Sequence, residues 1–359
     1  MRLLDRYVVV EFVKLLLLSL CAFVVIFAIV DLFEKIQDFM DGHASMLIVA
    51  RYYMYKIPWV TVQVLPIALL MSTFLTLGQM SKFNELTAMV TAGLSTGRIT
   101  VPLFGVGLVC VLASFALNEL VVPNATKQRE EIIETEVRHR MAGKPTEYSN
   151  LSVLGHNGRI YTAKLYLVPE KRLHDVTITE FKADTLSRRI DARTGRWNGK
   201  EWIFQDGVER RFEHGTERAM TFTSMTLSGL PERPEDFEKE QENPDAMGYG
   251  TLAEYVRRLA NSGLRSEKYE VQLYQKFAFP FINLIVVVIG AALASRLRNP
   301  NAALGFGISV STAFFYVGLM RAGIALGQSG TLPPAAAAWF ANGLFGIVAL
   351  GLFWQAQRR

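Results

Sequence analysis

Apolar residues are concentrated in six long runs, separated by segments in which polar and charged residues prevail. A helix needs roughly 20 apolar residues to cross the hydrocarbon core of a bilayer. No small-residue cleavage site follows the first run, so we expect it to remain as a span and not to act as a signal peptide. The pattern predicts six membrane spans, three on each side of a hydrophilic insert. The runs are Phe12–Phe33, Ile57–Met80, Ile99–Val122, Phe277–Ser295, Ala302–Leu326 and Ala335–Gln355.

Inside the insert, the spacing of apolar residues changes from a helical period to a period of two. Lys127–Met141 is charged, with apolar positions at helical spacing, and indicates a helix continuing from the third span. From about 148 to 230, segments such as Val176–Phe181 alternate apolar and polar residues, and Asn-Gly pairs begin at Asn157 and Asn198. Short strands separated by turns predict an antiparallel sandwich or jelly roll.

Two further helices are expected between the strands and the fourth span. Pro231–Gly250 is rich in Pro, Glu and Asp and is predicted to be a linker. Thr251–Glu254 forms a capping box that opens a helix. A second helix from Ser266 is expected to run into the fourth span, with a kink at Pro280.

The distribution of charge fixes the predicted orientation. Net charge is +5, yet the insert from 123 to 276 holds 25 basic and 25 acidic residues, so the excess lies beside the spans. This distribution reflects topology and argues against a nucleic-acid partner. With both termini cytoplasmic and the insert outside, eight basic residues lie inside and three lie in the short outer loops. The inner set is Arg2, Arg6, Lys82, Arg98, Arg296, Arg298, Arg358 and Arg359, and the outer set is Lys35, Arg51 and Lys56.

These patterns divide the chain into three segments. Residues 1–122 contain spans one to three, with a cytoplasmic amphipathic helix at about 81–97. Residues 123–276 form the outer domain: a helical stem, a β jelly roll at about 148–230 and helices at about 251–275. Residues 277–359 contain spans four to six.

The sequence contains no residue constellation that indicates catalysis. The five histidines are scattered without metal-ligand spacing, and both cysteines lie inside apolar runs, where no disulfide is expected. Gly195–Lys200 is one residue too short for a phosphate-binding loop and lies among strands, so it is predicted to be a hairpin turn. We therefore predict a non-catalytic chain without a cofactor of its own, and any use of ATP has to come from another protein.

Charged residues in or near the spans are the candidate substrate contacts. A charge facing lipid at mid-bilayer costs on the order of 3 kcal/mol, so such residues often line a cavity. Arg321 is the deepest of them and either pairs with an anionic headgroup or extends to the outer interface. Asp31 and Lys35 at the outer end of span one are expected to line the same cavity. Lys127 and Arg129 either extend its basic rim or are solvated helix charges.

The amphipathic segment Ser81–Arg98 is the candidate docking site for a soluble partner. Glu85 is followed by Leu86, Met89 and Val90 at helical spacing, which suits a groove on another protein. A helix resting on anionic headgroups would carry basic residues on its polar face, whereas the central charge here is acidic. The predicted docking residues are Glu85, Leu86, Met89, Gly93 and Ser95.

Two sets of three spans flank a β-rich insert, and the cytoplasmic segment contains Asn84–Met89 and Ala92–Ser95. In these features the chain resembles the lipopolysaccharide-export permeases of the LptF/LptG family. Further matches are Leu4–Tyr7, which is more similar to the LptG branch, and Tyr255, Leu259 and Gly263 leading to Lys276 and Pro280. The resemblance covers essentially the whole chain. One departure is Asp31, where LptG-type members often carry a lysine.

The resemblance implies one subunit of an ATP-driven exporter in a bacterial inner membrane. Its partners would be a sister six-span permease, a cytoplasmic ABC ATPase dimer that uses ATP and Mg²⁺, a single-span LptC-like protein and a periplasmic jelly-roll bridge. Lipopolysaccharide would pass from the membrane toward that bridge, and Glu85 would meet a basic residue of the ATPase. The alternatives are a membrane-anchored periplasmic scaffold and a permease for another amphiphilic lipid. A lipid-modifying enzyme would need a polar catalytic cluster, which the sequence lacks.

Overall fold

The fold is given by a computed structural model that describes residues 3–138, 147–155, 159–182, 185–213, 216–227, 232–234, 237, 244–261, 266–294 and 302–357. Two compact units are present. The helical unit contains Met1–Val137, Pro244–Ala253 and Glu267–Arg359, and the β unit contains Arg138–Asn243 and Glu254–Ser266. The stem helix that continues from the third span therefore packs with the spans.

Six helices among the described residues are long and apolar enough to cross a membrane, which confirms the predicted number. Each overlaps one predicted apolar run, and most continue beyond it, because extending an existing helix by one residue is far easier than starting a new one. We refer to them as spans one to six. They comprise Leu3–Asp41, Met46–Lys82, Gly97–Val137, Glu267–Ala294, Ala303–Gln328 and Pro334–Gln355.

Span two is the centre of the helical unit. In the most apolar 18-residue stretch of span two, 72% of the residues are buried. In the corresponding stretches of spans one and five only 17% are buried, so these two spans are peripheral. Span five approaches span two closely at Gly305, where an added Cβ would lie 2.9 Å from the Cβ of Phe74. A larger side chain at Gly305 would push these two helices apart.

Spans three and four change helix type near prolines. Span three is α-helical over Thr96–Ala116 and Val122–Ile132, with π-helical turns at Leu117–Val121 and Ile133–Arg138. The first π turn ends two residues before Pro123, whose nitrogen has no hydrogen to donate. Span four is α-helical over Glu267–Ala278 and Ile282–Ala294, with a 3₁₀ turn at Phe279–Phe281. The helix type therefore changes at Pro280, where the sequence predicts a kink.

The strands form one six-stranded antiparallel sheet, as predicted for the segment between spans three and four. They pair in chain order, from β1 to β6. The hairpin between β4 and β5 turns at Asn198-Gly199, where the Asn198 side-chain oxygen accepts the N–H groups of Lys200 and Glu201 at 2.8 and 2.7 Å. Asn157 lies outside the described residues. The strands are β1 Glu147–Leu154, β2 Arg159–Leu167, β3 Arg172–Lys182, β4 Thr185–Trp197, β5 Trp202–Glu213 and β6 Thr216–Leu227.

The order of the described strands is that of an up-and-down meander. A jelly roll is built from Greek keys, in which some neighbouring strands are distant in sequence. Here every strand pairs with the one before it and the one after it, because the connections between them are short. The antiparallel β domain is confirmed, and its described connectivity is simpler than the predicted jelly roll.

Aromatic side chains fill one face of the sheet. Tyr161, Tyr166 and Trp202 are at most 1% exposed, and Phe237 packs against all three. The Tyr161 hydroxyl donates a 2.7 Å hydrogen bond to the carboxylate of Glu232. Burial, followed by this bond, raises the pKa of Tyr161 above its ordinary value, so the phenol stays protonated.

The helix that precedes span four begins earlier than the predicted capping box. It comprises Tyr249–Asn261, so Thr251 already lies inside it. The Glu119 carboxylate accepts the Tyr249 N–H at 2.7 Å. A carboxylate from span three, distant in sequence, therefore takes the place of the local Thr251 cap.

Candidate functional site

The predicted docking segment contains a short helix, Glu85–Thr91, which we call the loop helix. At its end Gly93 has a φ of 90°, and the Gly93 and Leu94 N–H groups bond to the carbonyls of Val90 and Met89 at 3.0 and 3.1 Å. This is a Schellman cap, in which a left-handed residue closes the helix. Ser95 then caps span three, its hydroxyl accepting the Arg98 N–H at 3.2 Å.

The apolar stripe of the loop helix divides between the interior and the surface. Leu86 and Met89 are partly buried and pack against the core of the helical unit. Val90 and Phe83 remain 44% and 67% exposed. A soluble partner would therefore meet Phe83, Val90 and the polar residues between them, while Leu86 and Met89 hold the loop helix on the spans.

Glu85 is connected to span one. The Tyr7 hydroxyl donates a hydrogen bond to its Oε2 at 2.8 Å, and Glu85 forms no ion pair with any residue that the structure describes. Nearby, Asp5 of span one pairs with Arg98 of span three at 2.8 Å. The start of span one is thus linked both to the loop helix and to span three, and one carboxylate oxygen of Glu85 is left for an outside donor.

The second candidate site joins spans one and two far from the loop helix. Asp31 is 7% exposed and Lys56 5% exposed, and the Lys56 Nζ lies 2.5 Å from an Asp31 carboxylate oxygen. The Tyr53 hydroxyl donates to the other oxygen at 3.0 Å. Lys35 and Lys56 both donate to the Tyr52 hydroxyl, at 2.5 and 3.4 Å. We call Asp31, Lys35, Tyr52, Tyr53 and Lys56 the outer cluster.

At the centre of the outer cluster the charges of Asp31 and Lys56 cancel, and at its edge Lys35 carries a positive charge. Burial of a lone carboxylate is costly, and Lys56 offsets that cost for Asp31. Lys35 is half-buried and has only a neutral phenol as its described partner. The arrangement leaves Lys35, not Asp31, with charge to offer an anionic headgroup.

The structure brings together only some of the predicted substrate residues. Asp31 and Lys35 share the outer cluster. Lys127 is exposed, and Arg129 lies 3.7 Å from the neighbouring Glu130. Arg321 is exposed on span five and makes no hydrogen bond or ion pair with the described residues. These last three contact neither each other nor the outer cluster through any described hydrogen bond or ion pair.

Sequence reasoning missed the part played by Lys56. The charge pattern assigns it to an outer loop, whereas it lies buried inside span two. The available signal was its position four residues after Tyr52, which places both side chains on one helix face. Tyr53 follows directly and reaches Asp31 across the helix pair.

Comparisons with known proteins agree with this architecture. The family model for the lipopolysaccharide export system permease LptF/LptG matches residues 6–355. The lipopolysaccharide export system permease protein LptG of Escherichia coli strain K12 is 21% identical over 317 residues, covering 87% of this chain and 86% of that protein. LptG of Escherichia coli O6:H1 strain CFT073 gives the same values. With six spans, the inserted antiparallel sheet and a match over nearly its whole length, the chain belongs to the lipopolysaccharide export permease family LptF/LptG.

Proposed function

We propose that this chain is an LptG-type subunit that moves lipopolysaccharide out of the bacterial inner membrane with energy from a separate ATPase. The observation that carries the proposal is the family match over residues 6–355. The partners would be an LptF-like sister permease, a cytoplasmic ABC ATPase dimer that uses ATP and Mg²⁺, a single-span LptC-like protein and a periplasmic jelly-roll bridge. This chain would perform no chemistry itself.

The proposed orientation has both termini in the cytoplasm and the β unit in the periplasm. Basic residues beside the spans support it, because eight lie on the proposed inner side and three on the outer. The loop helix then faces the cytoplasm, where ATP is available. The outer cluster lies near the periplasmic interface, where lipopolysaccharide headgroups are exposed.

The loop helix would pass the motion of the ATPase to the spans. The free oxygen of Glu85 would accept a hydrogen bond from a basic residue of the ATPase, while Tyr7 holds the other oxygen. Because Tyr7 and Asp5 both belong to span one, a displacement of the loop helix would reach span one directly. Packing of Leu86 and Met89 on the core would transmit the same displacement to the remaining helices.

Lys35 and Arg321 are the proposed contacts for the phosphates of lipopolysaccharide. Arg321 has no described acidic partner, and an arginine on a lipid-facing helix gains most from an anionic headgroup. Asp31 and Lys56 would hold the shape of the outer cluster, with Lys35 at its edge.

Substitution of Glu85 tests the coupling step. Glu85→Ala and Glu85→Lys should lower ATPase co-purification and lipopolysaccharide export in reconstituted vesicles, while the permease still inserts in the membrane. Glu11→Ala is the matched control, because Glu11 is an acid of span one whose described partner is Lys14, at 3.4 Å. Normal ATPase binding and normal export by both Glu85 variants would contradict the proposed coupling.

A further inference from the structure

A charged row crosses five strands of the β unit. Arg159 of β2 is directly opposite Glu180 of β3, and Glu180 is opposite Arg188 of β4. Arg188 is opposite Arg211 of β5, which is opposite Arg218 of β6. Directly opposed residues of antiparallel strands point to the same face of the sheet. We call Arg159, Arg188, Arg211 and Arg218 the arginine row.

The arginine row lies on the same face as the apolar core of the β unit. Side chains two positions apart on a strand share a face, so the row adjoins Tyr161, Ile178 and Ile190, all buried. Met220 also lies on this face, next to Arg218, and is 67% exposed. The row lies at the end of the sheet where β1 finishes and β6 starts. One face thus presents cations at its rim and apolar groups beside them.

A nearly buried carboxylate holds two of the arginines in place. Glu209 is 5% exposed, and one of its oxygens accepts the Nε of Arg188 at 2.7 Å and of Arg211 at 2.6 Å. Burial alone would raise the pKa of Glu209, but the two guanidinium groups outweigh it and lower that pKa below its ordinary value. Arg159 is held in the same way by Glu180, at 2.9 Å. These acids orient the guanidinium groups at the rim.

Three adjacent positions of the row carry like charges. Arg188 is opposite Arg211, and Arg211 is opposite Arg218, an arrangement that destabilises a sheet unless anions compensate it. Glu209 compensates Arg188 and Arg211. Arg218 is exposed and forms no ion pair with the described residues. On the other face, Arg189 and Arg210 are also opposed, but both bind Asp191. Arg218 is therefore the position of the arginine row that would gain most from an external anion, and Arg211 lies directly opposite it.

We propose that the arginine row binds the phosphate groups of a glycolipid headgroup. Guanidinium groups form paired hydrogen bonds with phosphate oxygens, and their preset orientation reduces the entropy lost on binding. The exposed Met220 beside Arg218 suits an amphiphile better than a free ion. The inference rests on the proposed function in one respect, since lipopolysaccharide is the phosphorylated glycolipid that such a permease would bring to the β unit.

Binding of a soluble headgroup to the full-length protein in zwitterionic nanodiscs tests the proposal. The probe is the bisphosphorylated glucosamine disaccharide of lipid A without acyl chains, and its unphosphorylated form and inorganic phosphate are the comparisons. Arg211→Gln/Arg218→Gln should raise the Kd for the bisphosphorylated probe by about tenfold or more, because charge-assisted hydrogen bonds are lost. Arg218→Gln alone, at an exposed position without a described ion pair, should raise it severalfold without affecting folding. Higher salt should weaken binding to the unaltered protein.

Arg189→Gln/Arg210→Gln is the matched control, since it removes the same charge from adjacent positions on the other face. Equal weakening in this control would show diffuse attraction and overturn the site. Inorganic phosphate binding as tightly as the disaccharide would indicate an adventitious ion only. No probe binding, together with loss of a co-purifying acidic protein in the row variants, would assign the row to a protein partner instead. Unchanged probe affinity in the row variants refutes only this inference. The proposed function is refuted separately, if the unaltered protein neither exports lipopolysaccharide nor binds an ATPase.

Discussion

Replacing Lys56 with methionine would leave Asp31 buried in span one without its cation. Asp31 is 7% exposed, and its oxygen lies 2.5 Å from the Lys56 Nζ. At an effective dielectric constant of about 20, that separation corresponds to an attraction of about 7 kcal/mol, part of which offsets the desolvation of both groups. The Tyr53 hydroxyl would still donate to Asp31. We therefore expect Lys56→Met to lower the free energy of unfolding by about 3–5 kcal/mol, the usual cost of removing one partner of a buried ion pair.

The assay is a double-mutant cycle of unfolding in detergent, with Asp31→Asn, Lys56→Met and the two combined. The combined variant should recover most of the stability, because a neutral amide beside methionine needs no counter-charge. Lys35→Met is the matched control: it removes a half-buried lysine that bonds to the Tyr52 hydroxyl, and it should cost about 1 kcal/mol. Wild-type stability of Lys56→Met, or a combined variant no better than that single one, would refute the argument.

Two further predictions concern the loop helix and the β unit. Gly93→Ala would force a side chain into a φ of 90°, at a cost of about 1 kcal/mol, and should increase amide hydrogen exchange across the loop helix without changing exchange in span two. For Glu209, the lowered pKa adds stability that is present above the ordinary value of 4.5 and is lost as the pH falls through the folded-state value. In an acid titration followed by β-sheet circular dichroism, the β unit should lose this stability at pH values below 4.5. Glu209→Gln should remove the part of the acid dependence that Glu209 causes. An acid profile of Glu209→Gln identical to that of the unaltered protein would contradict the prediction.

The spans and the strands could be predicted from the sequence because each depends on the length and the spacing of a local run of apolar residues. Runs such as Phe12–Phe33 and Ala302–Leu326 contain enough apolar residues to span a bilayer wherever they pack. The alternation around Val176–Phe181 specifies a strand with one buried face. Asn198-Gly199 marks a turn because Gly199 adopts a φ of 100° without strain and the Asn198 side chain bonds to the backbone N–H groups that follow. Boundaries were less accurate where the partner is distant, as at Tyr249, whose N–H is bound by Glu119 of span three.

Candidate site residues were identified by type more readily than by partner. Asp31 and Glu85 stood out as acids in unusual positions, but the identity of their neighbours, Lys56 and Tyr7, depends on how helices pack. The same limit applies to Leu86. Its helical spacing marks it as part of an apolar stripe, yet packing assigns it to the interior and leaves the outward contacts to exposed residues of the loop.

The sequence by itself determined that this protein crosses a membrane six times around an antiparallel β insert, because apolar run length and period are properties of contiguous residues. Tertiary structure decided which charges compensate one another. Lys56 reaches Asp31 from another span, and Arg188, Arg211 and Arg218 become one row only when β4, β5 and β6 pair in register. Electrostatic interaction depends on distance in space and on burial, and neither is fixed until the chain has packed.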